Sequence, residues 1–67
     1  MAEIVLNGKS REIESGETVS ALLGKLGLDA RWVVAELNGD PIGRERFPEV
    51  GLADGDRLEL VRAVAGG

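Results

Sequence analysis

The N-terminal part of the chain has the pattern of a β-hairpin. A short apolar run over residues 3–6 is followed by Asn7-Gly8, and both residues tolerate the positive φ of a type I′ turn. The return segment, residues 9–14, is mostly polar, with Ile13 as its clear inward residue. This pattern predicts two antiparallel strands, of which the second lies at a sheet edge.

A helix is predicted next, with Thr18 as its N-cap. Four apolar residues follow at the spacing i, i+3, i+4 and i+7 and share one helical face: Val19, Leu22, Leu23 and Leu26. Gly27 fits the C′ position, where positive φ costs glycine nothing, and Leu28 is then placed to pack back on Leu23 in a Schellman ending. Gly24 lies inside this helix, where glycine lowers the stability of the helix by about 1 kcal/mol relative to alanine. The sequence gives no reason for a glycine at this position.

The remaining chain has the pattern of two more main strands. Residues 32–37 predict a third strand, closed by a turn at Asn38-Gly39-Asp40-Pro41. Residues 42–53 lack a clear period and predict one very short strand and a helical turn. The turn Asp54-Gly55-Asp56 leads into a last strand over residues 57–64.

One helix with one apolar face needs one sheet to cover it, which predicts a two-layer α+β domain. A hairpin followed by a helix held on a small mixed sheet is the β-grasp arrangement, in which the first and last strands are parallel neighbours at the sheet centre. We expect a single domain over residues 1–67 with a flexible tail at residues 65–67.

Strict alternation separates the two faces of this sheet. Seven residues are predicted to face the helix: Ile4, Leu6, Val33, Ala35, Leu37, Leu58 and Leu60. Four apolar residues are then left on the other face: Val5, Val34, Val61 and Ala63. Central strands favour β-branched residues in any case. We nevertheless favour the interpretation that these four form a docking surface for a partner protein.

Composition excludes several classes of function. The 67 residues carry a net charge of −4, which argues against a nucleic-acid partner. Histidine and cysteine are both absent, so the commonest general base and thiolate metal sites are missing. The hydroxyls of Ser10, Ser15, Thr18 and Ser20 lie in polar or capping contexts, and two carboxylates in the Asp-Gly-Asp turn are too few for a calcium site. We expect no hydrolase chemistry built on a side-chain nucleophile and no bound metal or cofactor.

No apolar stretch approaches the roughly 18 residues that a membrane helix needs, and no basic segment precedes an apolar block at the N-terminus. We therefore expect a cytoplasmic protein without a membrane partner.

The chain sequence ends in Gly66-Gly67, directly after a predicted strand. The simplest interpretation of this ending is a frayed terminus. A more specific interpretation is that the terminal carboxylate is the reactive group, because a tail without Cβ atoms can enter a narrow channel.

Four segments carry a family resemblance: EIVLNG near the start, VVAELNG in the middle, LADGDRLELV near the end and the terminal VAGG. Together they resemble the ThiS family of thiamine-biosynthesis sulfur carriers, which are ubiquitin-like β-grasp proteins. The match runs along essentially the whole chain. The Asp-Gly-Asp turn also occurs in the small subunit of molybdopterin synthase, so it indicates the superfamily better than the pathway.

The resemblance implies a carrier that other enzymes act on. An adenylating enzyme of the E1 or ThiF type would use ATP and magnesium to activate the Gly67 carboxylate, with Gly66 and Ala65 as the tail that enters its channel. Sulfur from a donor such as a cysteine desulfurase would replace AMP and leave a thiocarboxylate. The thiocarboxylate would then donate sulfur for the thiazole ring of thiamine, in a complex with a thiazole synthase of the ThiG type.

Two alternatives share the adenylation step. The first is a sulfur carrier for another acceptor, such as molybdopterin, a thiolated tRNA base, cysteine or a secondary metabolite. The second is a ubiquitin-like modifier whose Gly67 forms an isopeptide bond with a lysine. The alternatives differ in the nucleophile that attacks the adenylate, which the residues of this chain do not specify.

Overall fold

The computed structural model describes residues 1–63, which form a five-stranded mixed sheet covered on one face by one α-helix. The elements in chain order are β1 (Ala2–Leu6), β2 (Lys9–Ile13), α1 (Val19–Leu26), β3 (Val33–Leu37), β4 (Asp40–Ile42) and β5 (Arg57–Arg62). Two 3₁₀ helices cover Ala30–Trp32 and Arg44–Arg46. The strand order is β2-β1-β5-β3-β4, with β1 and β5 parallel and the other neighbours antiparallel. The predicted β-grasp fold is confirmed.

Local signals at the hairpin and the helix were sufficient to predict both elements. Asn7 and Gly8 have φ of 49° and 83° in the turn between β1 and β2, and β2 lies at the sheet edge. At the start of α1, the Thr18 side chain accepts a hydrogen bond from the Ala21 amide at 3.0 Å. At its end Gly27 has φ 72°, and the Leu28 amide donates to the Leu23 carbonyl at 3.0 Å, as a Schellman ending requires.

Three element boundaries differ from the prediction. The third strand begins at Val33, one residue later than predicted, because the Asp29 side chain accepts from the Arg31 amide and starts a 3₁₀ helix that includes Trp32. The turn after β3 contains only Asn38 and Gly39, so residues 40 and 41 belong to β4. The last strand ends at Arg62, and residue 64, predicted as its end, lies outside the described residues.

The core lies between α1 and the inner face of the sheet. Its fully buried residues include Ile4 and Leu58 from the two central strands and Leu22 and Leu23 from the helix. The seven predicted inward residues all face this core, with Leu6, Leu37 and Leu60 half-buried at its margin. The segment after β4, predicted only as irregular, adds Phe47 and Leu52, which are 1% and 2% exposed. It is tied to the helix by hydrogen bonds from the Val19 amide to Val50 and from the Ser20 amide to Phe47.

Candidate functional site

The outer face of the sheet, on the side away from α1, carries an exposed apolar pair. Val34 on β3 and Val61 on β5 lie directly opposite each other and are 54% and 61% exposed. Val34 lies between the buried core residues Val33 and Ala35, and Val61 follows the half-buried Leu60, as the alternation in the sequence predicted. None of the helices in residues 1–63 covers this face, because α1 packs on the other one.

The other two residues of the predicted docking surface are less exposed. Ala63 follows β5 directly and is half-buried, two residues beyond Val61. Val5 is also half-buried and lies opposite Arg57, four residues before Val61 along β5, or about 13 Å at the strand rise per residue. The structure therefore groups Val34, Val61 and Ala63 at one end of the outer face and leaves Val5 apart from them.

Carboxylates lie on the same outer face, one pair beside the apolar pair and one at the far end of the sheet. Glu36 on β3 and Glu59 on β5 lie directly opposite each other, two residues along the strands from the Val34–Val61 pair. Glu3 and Glu12 form a second directly opposed pair on β1 and β2. Like charges that face each other across strands destabilise a sheet. The register thus gives the outer face an acidic character, relieved by the guanidinium of Arg57, that the sequence pattern did not predict.

The start of the tail lies beside an exposed aromatic residue. The Ala63 amide donates a hydrogen bond of 2.6 Å to the Trp32 carbonyl, and Trp32 is 46% exposed. A cleft of about 420 Å³ opens between Trp32, Leu28, Arg62 and Ala63. Trp32 was not among the predicted site residues; the sequence analysis placed it at the start of the third strand. Its position beside the last described residue makes it part of the candidate site.

An ion pair fixes the 3₁₀ turn that presents Trp32. The Arg31 guanidinium contacts the Asp29 carboxylate at 2.8 Å, and the same carboxylate accepts from the Arg31 amide at 2.9 Å. The side-chain hydrogen bond from Arg31, followed by the backbone one, lowers the pKa of Asp29 to about 2, and the contact raises the pKa of Arg31. Both side chains are exposed, so this pair orders the turn without contributing much to global stability.

The Asp-Gly-Asp turn has a structural role. The Asp54 carboxylate accepts from the Glu3 amide at 2.8 Å, which ties the turn to β1. Asp56 accepts from the Ala53 amide at 2.8 Å and from the Asn38 side chain at 3.1 Å. Both carboxylates are therefore used by the fold at the start of β5. Within the described part of the chain, no three histidine, cysteine or acidic side chains form a group that could hold a metal ion.

Three predicted site residues, Ala65, Gly66 and Gly67, lie outside the described residues. The structure therefore defines only the base from which they extend, which is Ala63 at the end of β5. In residues 1–63, no helix has both the length and the apolar character to cross a membrane.

These features define a class of protein. In residues 1–63 the first and last strands are parallel neighbours, one α-helix packs on one face of the sheet, and no helix covers the other face. This is the arrangement of a ubiquitin-like β-grasp protein. The crystal structure of the thiamine biosynthesis protein ThiS from Geobacter metallireducens matches it with a TM-score of 0.79 and 34% sequence identity. That match covers 97% of this chain and 99% of the Geobacter chain.

The sequence comparisons agree with the structural one. The model of the ThiS family matches residues 4–67. The sulfur carrier protein ThiS of Bacillus subtilis is 40% identical over 63 residues, covering 92% of this chain and 96% of its own length. A thiazole synthase of Paramagnetospirillum magneticum is also 40% identical, over 65 residues, although the chain spans only 20% of that protein. The chain belongs to the ThiS family, the sulfur carriers of thiamine biosynthesis.

Proposed function

We propose that Gly67 is the residue on which this carrier transports sulfur, as a thiocarboxylate at its C-terminal carbonyl carbon. The observation that carries the proposal is the extent of the family match, which continues past the last described residue to residue 67. The matching sulfur carrier of Bacillus subtilis is aligned over nearly its whole length. The absence of cysteine in this chain suits a carrier whose sulfur is held on a carbonyl carbon.

The carboxylate must be activated before it can accept sulfur. A terminal carboxyl group has a pKa of about 3.5, so it is ionised at neutral pH and is a poor acyl donor. In the proposed first step, a carboxylate oxygen of Gly67 attacks the α-phosphorus of ATP and releases pyrophosphate. Magnesium held by the partner neutralises the phosphate charge. A separate adenylating enzyme of the E1 or ThiF type supplies this site, and the carrier is its substrate.

Sulfur then replaces the nucleotide. A persulfide, formed from cysteine by a desulfurase, attacks the acyl carbon with its terminal sulfur, and AMP leaves with the electron pair of the broken C–O bond. A thiol then attacks the desulfurase sulfur of the resulting acyl disulfide and forms a new disulfide with it, and the acyl-bound sulfur leaves with the electron pair as the thiocarboxylate of Gly67. Gly66 and Ala65 have little or no side chain to obstruct a narrow channel. Because the first step consumes ATP, we place this chemistry in the cytoplasm.

We infer that thiazole synthase is the acceptor. The matched protein of Paramagnetospirillum magneticum is a thiazole synthase. About one-fifth of that protein is similar to this chain, which supports an association of the carrier with thiazole synthase. We further infer that the surface formed by Val34, Val61 and Ala63, with Val5 at its far side, docks onto the partner enzymes. The exposed Val34–Val61 pair supports that inference, because solvent favours polar residues at such positions.

The test is intact-protein mass spectrometry. The carrier is incubated with its adenylating enzyme, ATP, magnesium, cysteine, a cysteine desulfurase and a thiol reductant. We expect the mass to increase by the exchange of one oxygen for one sulfur. Deletion of Gly67, or addition of one residue after it, should abolish the increase and leave the circular dichroism spectrum unchanged. Sulfur gain by the extended variant, or a new bond to a lysine in place of sulfur, would contradict the proposal.

A further inference from the structure

The last hydrogen bonds between β1 and β5 are made by a side chain. The backbone pairing of the two strands ends with Leu6 opposite Leu58, after which the chain turns away at Asn7 with φ 49°. The Asn7 side chain continues the pairing. Its Oδ1 accepts from the Leu60 amide at 2.7 Å, and its Nδ2 donates to the Leu60 carbonyl at 3.2 Å. Asn7 therefore replaces the strand residue that would otherwise bind Leu60.

This contact lies where β5 leaves the core and enters the candidate site. Leu58 is fully buried, Leu60 is half-buried, and the next residue, Val61, is exposed on the outer face. Beyond Leu60, β3 continues to support β5, and the Ala63 amide still binds a carbonyl on that side. Within residues 1–63, Leu60 is the last residue of β5 with a hydrogen-bond partner from β1 or its turn.

We propose that Asn7 is a positioning residue for activation of the carrier: by pairing with Leu60 it ties β5 to β1, so that the base of the tail at Ala63 keeps one fixed direction relative to the docking residues Val5 and Val34 on the neighbouring strands. The inference rests on the proposed function, in which docking and tail entry occur on the same partner. Asn7 does not touch the reacting carboxylate, and its effect is exerted through β5.

A small change at Leu60 would move the base of the tail. Ala63 lies three residues beyond Leu60, or about 10 Å at the strand rise per residue, so a tilt of about 10° at Leu60 would displace it by roughly 2 Å. A misplacement of about 1 Å at a reacting centre can cost about 100-fold in rate. A looser strand would therefore lower the fraction of docked carriers whose carboxylate is aligned for attack on ATP.

The expected kinetic effect is a separation of kcat from KM. In the Asn7→Gly variant, glycine keeps the positive φ of the turn and removes only the side-chain clamp. With the adenylating enzyme and ATP, we expect kcat for pyrophosphate release to fall by about 10-fold. KM for the carrier should change by less than about twofold, because the docking residues are untouched. Asn7→Asp, which retains an acceptor for the Leu60 amide but loses the donor to its carbonyl, provides a second folded variant.

The chain contains a matched control at the other end of the same strand. Asn38 also has positive φ, 54°, in an Asn-Gly turn, and its side chain accepts from the Arg57 amide at 2.9 Å and donates to Asp56 at 3.1 Å. Asn38→Gly therefore removes two comparable hydrogen bonds from the start of β5, far from the tail. We expect it to lower the melting temperature by about as much as Asn7→Gly and to leave kcat within about twofold of the wild type.

Amide hydrogen exchange tests the clamp without the partner. Exchange of the Leu60 amide should be faster in Asn7→Gly and unchanged in Asn38→Gly. If the two glycine variants lose kcat equally, the role of Asn7 is purely structural and the inference is wrong. The inference is also overturned if the Leu60 amide of Asn7→Gly exchanges fast while its kcat remains that of the wild type. Failure of the wild-type carrier to release pyrophosphate would instead overturn the proposed function, and the inference with it.

Discussion

Glu17 and Lys25 form an ion pair of 3.0 Å that joins the loop before α1 to the last turn of that helix. The Glu17 side chain is 4% exposed, whereas that of Lys25 is 51% exposed. The same oxygen, Oε1, also accepts from the Glu14 amide at 3.0 Å, and among the described residues Oε2 has no donor. The hydrogen bond from the Glu14 backbone, followed by that from Lys25, lowers the pKa of Glu17 below its usual 4.5, although burial acts in the opposite direction.

The first prediction concerns this carboxylate and pH. Because the pKa of Glu17 is lower in the folded state, its ionised form stabilises the fold above about pH 4.5, and this contribution is lost as pH falls from there through the folded-state pKa. Glu17→Gln should lower the free energy of unfolding by about 1–3 kcal/mol at pH 7. Urea unfolding at several pH values should show that the difference from the wild type shrinks below pH 4.5. A difference that stays constant down to pH 2 would contradict the assignment.

The second prediction concerns Gly24, which lies in the interior of α1. A Cβ added there would meet nothing within 4 Å, so the structure shows no packing reason for glycine. Gly24→Ala should raise the free energy of unfolding by about 1 kcal/mol, seen as a higher melting temperature. Gly27→Ala is the control, because Gly27 has φ 72° and alanine is strained there. The control should melt at a lower temperature than the wild type, and a destabilised Gly24→Ala would show that the helix position is misassigned.

Short-range chemistry explains why so much of the fold was predictable from the sequence. The Asn7-Gly8 turn and the Schellman ending at Gly27 depend on the backbone freedom of one or two residues. Strict alternation likewise predicted that Val34 and Val61 are exposed, because successive side chains along a strand point to opposite faces of the sheet. These parts of the fold and of the candidate site required no knowledge of long-range contacts.

Two of the features that were missed, the burial of Phe47 and the Glu36–Glu59 pair, depend on contacts distant in sequence. The bounds of strand β4 were missed for a local reason, because the prediction extended the Asn38-Gly39 turn through Asp40 and Pro41, which pair with β3. The burial of Phe47 comes from an aperiodic segment folding under the helix. The Glu36–Glu59 pair depends on strand register, which is set by the assembled sheet. Trp32 was assigned to the third strand because the sequence pattern did not show the 3₁₀ turn that the Asp29 side chain starts; the alternation of residues 33–37 is as predicted.

The third prediction concerns the opposed carboxylates of Glu36 and Glu59. Glu59→Lys changes this pair from like to opposite charges, so the free energy of unfolding should rise by about 0.2–1 kcal/mol. The same change should weaken docking onto the adenylating enzyme, most at low salt, if the partner presents a basic surface to this face. Affinity is measured by calorimetry at two salt concentrations.

The opposed pair on the other side of the sheet supplies the control for Glu59. Glu12→Lys creates the corresponding opposite-charge pair with Glu3, on the edge strand β2. We expect a similar gain in stability and a smaller loss of affinity, because β2 is two strands away from β5. Equal losses of affinity in both variants would indicate that docking responds only to net charge and is not centred on the Val34–Val61 pair.

The fourth prediction tests the docking surface itself. Val61 is 61% exposed, so Val61→Asp should leave the circular dichroism spectrum native-like. In a docked complex the new carboxylate would be buried without a partner, and we expect KM for the adenylating enzyme to rise by about 10-fold or more. Ser20→Asp adds the same charge to α1 on the opposite layer and should leave KM unchanged. An unfolded Val61→Asp would show that the two sheet faces are assigned wrongly, and an unchanged KM would place docking elsewhere.

The last prediction concerns the acceptor of the sulfur. We expect the purified thiocarboxylate to transfer its sulfur to a thiazole synthase and not to the large subunit of a molybdopterin synthase. The two acceptors must recognise different surfaces beside a similar tail, so specificity has to come from residues outside Gly66-Gly67. Two such regions are the cleft at Trp32 and the segment 43–53, where Phe47 anchors the chain in the core while Arg44 and Glu49 remain exposed.

Parallel assays with both acceptors measure this selectivity by loss of the thiocarboxylate mass. Trp32→Ala should lower transfer to thiazole synthase if the acceptor covers the base of the tail, because truncating a buried interface aromatic typically costs at least about 2 kcal/mol. Arg44→Ala probes the exposed side of the segment 43–53 in the same assay. Transfer only to the molybdopterin enzyme, or only to a lysine amine, would overturn the assignment of the acceptor. The β-grasp fold would stand in either case, since it rests on the hydrogen-bonded register of β1, β3 and β5.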